Sequence, residues 1–146
     1  MAAAAAVSAG ANAVSSALGG WQSHQGGKAQ KKQAYADAAA AEAMGRLEAE
    51  RIRKQTKQVQ SSARAQAAEN GLDVDVGAPA VINDQIAFDG EHDAWMAILT
   101  GKNEANALRV SGRNAASAGR TALGMGLLNA GANAADGYSK WKGMQK

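Results

Sequence analysis

The chain has 146 residues, the size of one domain, and most of its 46% apolar content is alanine, with aromatic residues at only 4%. Since alanine buries little area at roughly 25 cal/mol per Å², a conventional core of large side chains is hard to build, and we expect stability to come from neighbouring molecules. The absence of cysteine excludes disulfides, thiolate metal sites and cysteine nucleophiles, and the net charge of +3 is mild but unevenly distributed.

Residues 1–27 form an alanine- and glycine-rich N-terminal segment with almost no charge. They lack the positively charged start and the strongly apolar stretch of a secretory signal, so we expect no leader peptide. About 20 helical residues span the 30 Å of a bilayer, but alanine, glycine, serine and asparagine insert poorly without partners. This segment is therefore a predicted membrane tip only within an oligomer.

Residues 28–71 are predicted to form a long basic helix that ends at Asn70-Gly71, where glycine suits the left-handed conformation just past a helix. Pairs at i,i+4 spacing, such as Glu42 with Arg46, support it. Its large apolar residues are too few for the centre of a globule, so it must pack against similar helices. Six basic side chains are candidates for contact with DNA or a neighbouring subunit: Arg46, Arg51, Arg53, Lys54, Lys57 and Arg64.

Residues 72–79 are predicted to form an extended acidic turn that reverses the chain, with Pro79 at the first position of the next helix. Asp73, Asp75 and Asp84 fall at ligand positions of a calcium loop, but Pro79 occupies its seventh position, so we expect no calcium site.

Motifs for catalysis are missing. The sequence contains no nucleophile elbow, phosphate-binding loop or zinc-protease motif, and His24 and His92 lie in different segments. We therefore predict that the protein is not an enzyme and has no catalytic residue, no cofactor and no metal ion.

Residues 80–113 are predicted to form a return helix with an apolar cluster, in which Trp95, Met96 and Leu99 pack as core against the long helix. Asp89, Glu91 and Asp93 make this helix acidic. These three carboxylates are candidates for contact with the basic helix of an adjacent copy, which would give a charge-matched ring.

Residues 114–146 are predicted to form a glycine-rich C-terminal helix and a basic-aromatic tail. A glycine costs about 1 kcal/mol relative to alanine inside a helix, so the glycines there and just before it indicate close approach of another backbone, in a membrane or a helix pair. A flexible tail that orders only on assembly is the alternative. The candidate packing or membrane residues are Gly112, Gly119, Gly124, Gly126, Gly131, Trp21 and Trp141.

The stretch AGANA occurs at 9–13 and again at 130–134, each time before a tryptophan. This symmetry predicts that both termini lie at one end of a helical hairpin. The predicted fold class is all-α, a long helical hairpin with alanine- and glycine-rich termini at one end, forming an oligomeric ring or tube.

The order of these parts resembles the internal virion proteins, or DNA-ejection proteins, of short-tailed bacteriophages. The resemblance is carried by the alanine-rich N-terminus, the helix through KQTKQVQSSARAQAAENG, the bend containing G-A-P, the D-A-W-M-A-I-L stretch and the glycine-rich final helix. The sequence departs from the pattern at Ala78, where a serine or threonine would cap the helix.

The resemblance implies a protein packaged in the virion near the portal, which leaves with the genome and assembles as a ring in the host cell envelope, contributing to a conduit for DNA. Its implied partners are further copies of itself, the portal or other internal virion proteins, DNA in the lumen and the host membrane. Two alternatives stay open: a structural virion component that never meets lipid, such as a head-tail or tail-lumen adaptor, and a small basic nucleic-acid-binding protein.

Overall fold

Two long helices account for nearly all of the described chain. The computed structural model describes residues 2–143, with side chains from residue 11 onward except at Ala13, and contains α1 (Ala2–Glu69) and α2 (Ala78–Gly143). Residues 2–143 include no strand. The predicted all-α hairpin of two long helices is confirmed, whereas the ring or tube remains a prediction.

The turn between the helices has the predicted chemistry. The N–H of Leu72 donates to the carbonyl of Ala67 at 3.0 Å, the N–H of Gly71 donates to that of Ala68 at 2.9 Å, and Gly71 has a φ of 71°. This is a Schellman arrangement, which needs a left-handed residue just past the helix. Gly77, with a φ of 74°, precedes the start of α2 at Ala78.

The N-terminal boundary differs from the expected one. The first helix begins at Ala2 rather than at Lys28 and continues through the Gly19-Gly20 and Gly26-Gly27 pairs. Gly20 and Gly27 are buried against α2, so packing between the helices outweighs the low helix propensity of glycine there.

The chain divides into two compact units. Unit 1 comprises Met1–Ala36 and Leu108–Lys146, of which residues 2–36 and 108–143 are described, and unit 2 comprises Asp37–Ala107. In each unit a segment of α1 packs against a segment of α2.

In unit 2, buried and half-buried positions recur every eleven residues along both helices. In α2, for example, Asn83, Ala94 and Ala105 share one row, and Gly90 and Gly101 share another. We call the rows of positions on each helix that face the other helix the seam. An eleven-residue repeat keeps the seam facing the other helix when the two helices supercoil slightly in the right-handed sense. The seam positions of α1 are Ala38, Ala41, Gly45, Ala49, Ile52, Thr56, Gln60, Ala63 and Ala67.

In unit 1, the buried and half-buried positions repeat every seven residues, and the buried positions of the seam are glycines. A Cβ atom built on Gly27 would lie 2.6 Å from the carbonyl oxygen of Ala115, and one built on Gly126 would lie 2.6 Å from that of Ser16. These separations exclude any side chain, so the two backbones touch directly. A seven-residue repeat favours a left-handed supercoil.

No large side chain is fully buried in the described part of the chain, and the buried apolar residues there are all alanines. The prediction that Trp95, Met96 and Leu99 form a core against α1 is therefore wrong for Trp95 and Met96, which are 57% and 43% exposed, whereas Leu99 is half-buried. The buried positions of the seam hold only alanine and glycine, and both side chains lie outside them.

Candidate assembly surfaces

A bidentate ion pair joins the two helices of unit 2 on one side of the seam. Arg53 donates from Nε to Oε1 of Glu91 at 2.9 Å and from Nη2 to Oε2 at 2.9 Å. The hydrogen bonds from Arg53 lower the pKa of Glu91, and the same bonds raise the pKa of Arg53. Both side chains are largely solvent-accessible, so the pair fixes geometry more than it adds stability.

This side of unit 2 is predominantly basic. Arg53, Lys57 and Glu91 line one groove, so they lie on the same side of the helix pair. Arg46 lies eleven residues before Lys57, and Lys102 lies eleven residues after Glu91. Residues eleven apart point in nearly the same direction from the helix axis, so Arg46 and Lys102 lie on this side as well. We call this side the basic face; it comprises Arg46, Arg53, Lys57, Glu91, Trp95, Ile98 and Lys102, and the rows of Arg53 and Trp95 also hold the carboxylates Glu42 and Asp84.

The opposite side of unit 2 is acidic and apolar. Asn70 and Ile82 line a second groove, and Glu48 and Val59 lie at eleven-residue intervals before Asn70. Asp93 and Glu104 follow Ile82 at the same interval, so all these rows share one side. We call it the acidic face; it comprises Met44, Glu48, Val59, Ile82, Asp89, Asp93, Met96 and Glu104.

The six predicted basic contacts do not share one surface. Arg53 is paired with Glu91, Arg64 is paired with Asp75 beside the turn, and Arg51 is 4.0 Å from Glu48. Lys54 is exposed and points away from α2, between the two faces. The remaining two, Arg46 and Lys57, lie on the basic face.

The three predicted acidic contacts separate in the same way. Glu91 contacts Arg53 of its own chain on the basic face, whereas Asp89 and Asp93 lie on the acidic face. Linear spacing alone hides this separation, because residues two apart in a helix point in directions about 200° apart.

The predicted glycines also separate into two groups. Gly112, Gly119 and Gly126 face α1 within unit 1, whereas a Cβ atom added to Gly124 or Gly131 would have no atom within 4 Å. The three in the seam therefore serve packing inside the chain.

The two predicted tryptophans lie on the surface of unit 1. Trp21 is 57% and Trp141 47% exposed. The ring of Trp141 lies 6.0 Å from that of Tyr138, and Lys140 pairs with Asp136 at 2.6 Å. Aromatic rings beside basic residues are typical of segments that lie at a membrane interface.

A tyrosine–arginine contact in unit 1 was not predicted from the sequence. Nε of Arg113 donates to the hydroxyl oxygen of Tyr35 at 3.2 Å, and Nζ of Lys31 lies 5.5 Å from the centre of its ring. The Arg113 hydrogen bond lowers the pKa of Tyr35. The residues are 78 positions apart, and only the register between the helices reveals the contact.

Within residues 2–143, no three histidine, aspartate or glutamate side chains are grouped so as to bind a metal ion. Neither described helix contains a stretch that is both long enough and apolar enough to span a bilayer. Comparison of the chain with known protein families, curated proteins and solved structures finds no match.

Proposed function

We propose that this protein is an internal virion, or DNA-ejection, protein of a short-tailed bacteriophage, whose copies assemble into a ring and contribute to a conduit for DNA across the host envelope. The phage assignment draws on the resemblance of the sequence parts described above. The proposed localisation is the virion, followed by the host cell envelope after ejection.

The observation that carries the self-assembly is the contrast between the core and the surface. The buried apolar residues of the described part are alanines only, while large apolar side chains such as Phe88, Trp95 and Leu128 are more than half exposed. Fully burying one such side chain contributes about 1.5–3 kcal/mol, and the tight seam leaves no room for it within the chain. Burial against another molecule would provide this stabilisation, and further copies of the chain are the partner in the ring proposal.

Sedimentation velocity and native mass spectrometry of the full chain, over a range of concentrations, test the assembly. We expect species larger than the monomer whose population grows with concentration, and closed rings in electron micrographs. A chain that stays monomeric throughout and unfolds only at high temperature would overturn the proposal.

The envelope part of the proposal needs a separate experiment. The chain has three tryptophans, so Trp95→Phe leaves Trp21 and Trp141 as its only indole fluorophores. With vesicles of anionic phospholipid loaded with a dye, we expect a blue shift of the remaining emission and release of the dye. If neither occurs, the conduit is wrong and an adaptor confined to the virion takes its place.

Binding to DNA is testable through its salt dependence. Arg51, Arg53 and Arg64 are paired within the chain, which leaves three of the six predicted basic contacts for phosphate. At a slope of about −0.9 per phosphate contact, the logarithm of the binding constant would fall with a slope of about −2.7 against the logarithm of the salt concentration. A flat response would exclude DNA as a ligand of these residues.

A further inference from the structure

We propose that the basic face of unit 2 binds the acidic face of unit 2 in a second copy of this chain. The proposal rests on the self-assembly proposed above and specifies which surfaces meet. Its basis is that the two opposite sides of the helix pair in unit 2 carry complementary charge.

The charges left over on each face have opposite sign. On the basic face, Arg46, Lys57 and Lys102 form no salt bridge within the described residues, and these three cations outnumber the carboxylate of Asp84, so the leftover charge is positive. On the acidic face, Glu104 is likewise without a salt bridge there, Asp89 accepts a hydrogen bond from the neutral Gln85, and Asp93 is 3.7 Å from His92. Charge complementarity of this kind fixes the register of an interface and excludes wrong pairings.

The complementary charges also lie at the same level along the helices. Gly101 packs against Ala41 and Gly45, which places its neighbours Lys102 and Glu104 beside that part of α1. Gly90 packs against Thr56, which places Asp89 and Asp93 level with Lys57. A second copy in the same orientation therefore presents its acidic face to the basic face with little axial shift.

Apolar side chains on both faces provide apolar surface that the proposed contact would bury. Trp95 is 57% exposed on the basic face, and Met44, Ile82 and Met96 are exposed on the acidic face. Tryptophan is enriched among residues that dominate binding energy, and methionine makes favourable contacts with aromatic rings. We infer that Trp95 of one copy packs among these apolar residues of the next.

The two faces are different surfaces, so their contact is heterologous: each copy uses one face for the preceding neighbour and the other for the following neighbour. Such a contact, when repeated, closes a ring if the rotation allows it and otherwise continues as a filament. The proposed pairing therefore generates a repeating assembly rather than a twofold dimer.

Charge reversal with rescue by mixing tests the pairing. Variant A carries Arg46→Glu and Lys102→Glu, so that both of its faces are acidic. Variant B carries Asp89→Lys, Asp93→Lys and Glu104→Lys, so that both of its faces are basic. A control variant carries Lys32→Glu and Lys54→Glu, which make the same charge change as variant A at exposed positions outside both faces.

We expect variants A and B each to self-associate more than about tenfold more weakly than the unmodified chain, because like charges then meet. An equal mixture of A and B should restore assemblies in which the two alternate, and the control should assemble normally. Circular dichroism shows whether each variant keeps its helices, and restored assembly in the mixture itself shows that both are folded.

The outcomes separate the two proposals. If the unmodified chain does not assemble, the self-assembly and this interface both fail. If it assembles but A or B alone assembles equally well, or the mixture shows no rescue, the interface is wrong while the proposed assembly stands. Weakening of the control to the same degree as A would also overturn the pairing, since net charge would then explain the effect.

Discussion

The two units reach the same close packing of α1 on α2 by different means. In unit 1, glycines lie directly on the backbone of the opposite helix, and the half-buried positions repeat every seven residues. In unit 2, alanine, threonine and glutamine share the seam with fewer glycines, the repeat is eleven residues, and Arg53–Glu91 and Gln60–Asn83 bonds link the helices. Unit 1 thus depends on the absence of side chains, and unit 2 on matched side chains.

The difference concerns function as well as packing. The sides of unit 2 carry charges that can select a neighbour and its register. The surface of unit 1 carries exposed aromatic residues such as Trp21 and Trp141, which suit a less selective apolar partner. Three experiments test this comparison, one in unit 1 and two in unit 2.

The largest effect is expected in unit 1 from Gly119→Ala. The new Cβ would lie 2.8 Å from the carbonyl oxygen of Ser23, a backbone atom that can move only if the helices separate. Overpacking of this kind costs about 1–3 kcal/mol, more than the helix propensity that alanine gains. We expect a lower midpoint of thermal unfolding, measured by circular dichroism.

Gly124→Ala is the matched control, five residues further along α2. No atom lies within 4 Å of its added Cβ, so only the propensity gain of about 0.5–1 kcal/mol remains. The two variants should therefore shift the unfolding midpoint in opposite directions. A stabilising Gly119→Ala would contradict the close backbone contact in unit 1.

A smaller loss of stability is expected in unit 2 from Gly90→Ala, and a second substitution should relieve part of it. The nearest atoms to its added Cβ are Oγ1 and Cγ2 of Thr56, and Cβ of the same side chain would lie 2.7 Å away. We expect destabilisation of about 1–2 kcal/mol, because the threonine must be displaced.

Adding Thr56→Ala should recover part of that loss, because it removes the two atoms that clash most. Denaturant titration of both single variants and the double variant gives the coupling between the two sites. If the changes in the free energy of unfolding are simply additive, the side chain of Thr56 does not limit packing against Gly90.

The smallest effect concerns the pH dependence of the Arg53–Glu91 pair. The pKa of Glu91 is lowered by the hydrogen bonds from Arg53, so its contribution to stability is fully present above the pKa of an unfolded glutamate. The contribution is lost as the pH falls through the lowered value of the folded state.

Comparison with Glu91→Gln measures that contribution. At neutral pH the unmodified chain should unfold at a slightly higher temperature than the variant, and the two melting temperatures should converge in acid. A difference that persists unchanged below the pKa of Glu91 would show that the carboxylate charge is not its source.

The sequence alone was sufficient to predict the all-α fold class and the position at which the chain reverses direction. Low content of proline and β-branched residues, long alanine-rich runs and i,i+4 ion pairs are local properties, and they predict helix whatever the chain packs against. Asn70-Gly71 is equally local, since the left-handed conformation at Gly71 depends on glycine itself. These features predicted the two helices and the position of the turn.

Only the tertiary structure decided which residues face which. The helix begins before Lys28 because Gly20 and Gly27 lie against α2, and Trp95 is exposed because the register of the helices turns its neighbour Ala94 toward α1. The basic and acidic faces, and the Tyr35–Arg113 contact, depend on the register between two distant segments of chain. A helix propensity is a property of neighbouring residues, whereas register is fixed by the fit of two surfaces, so only the packed pair reveals it.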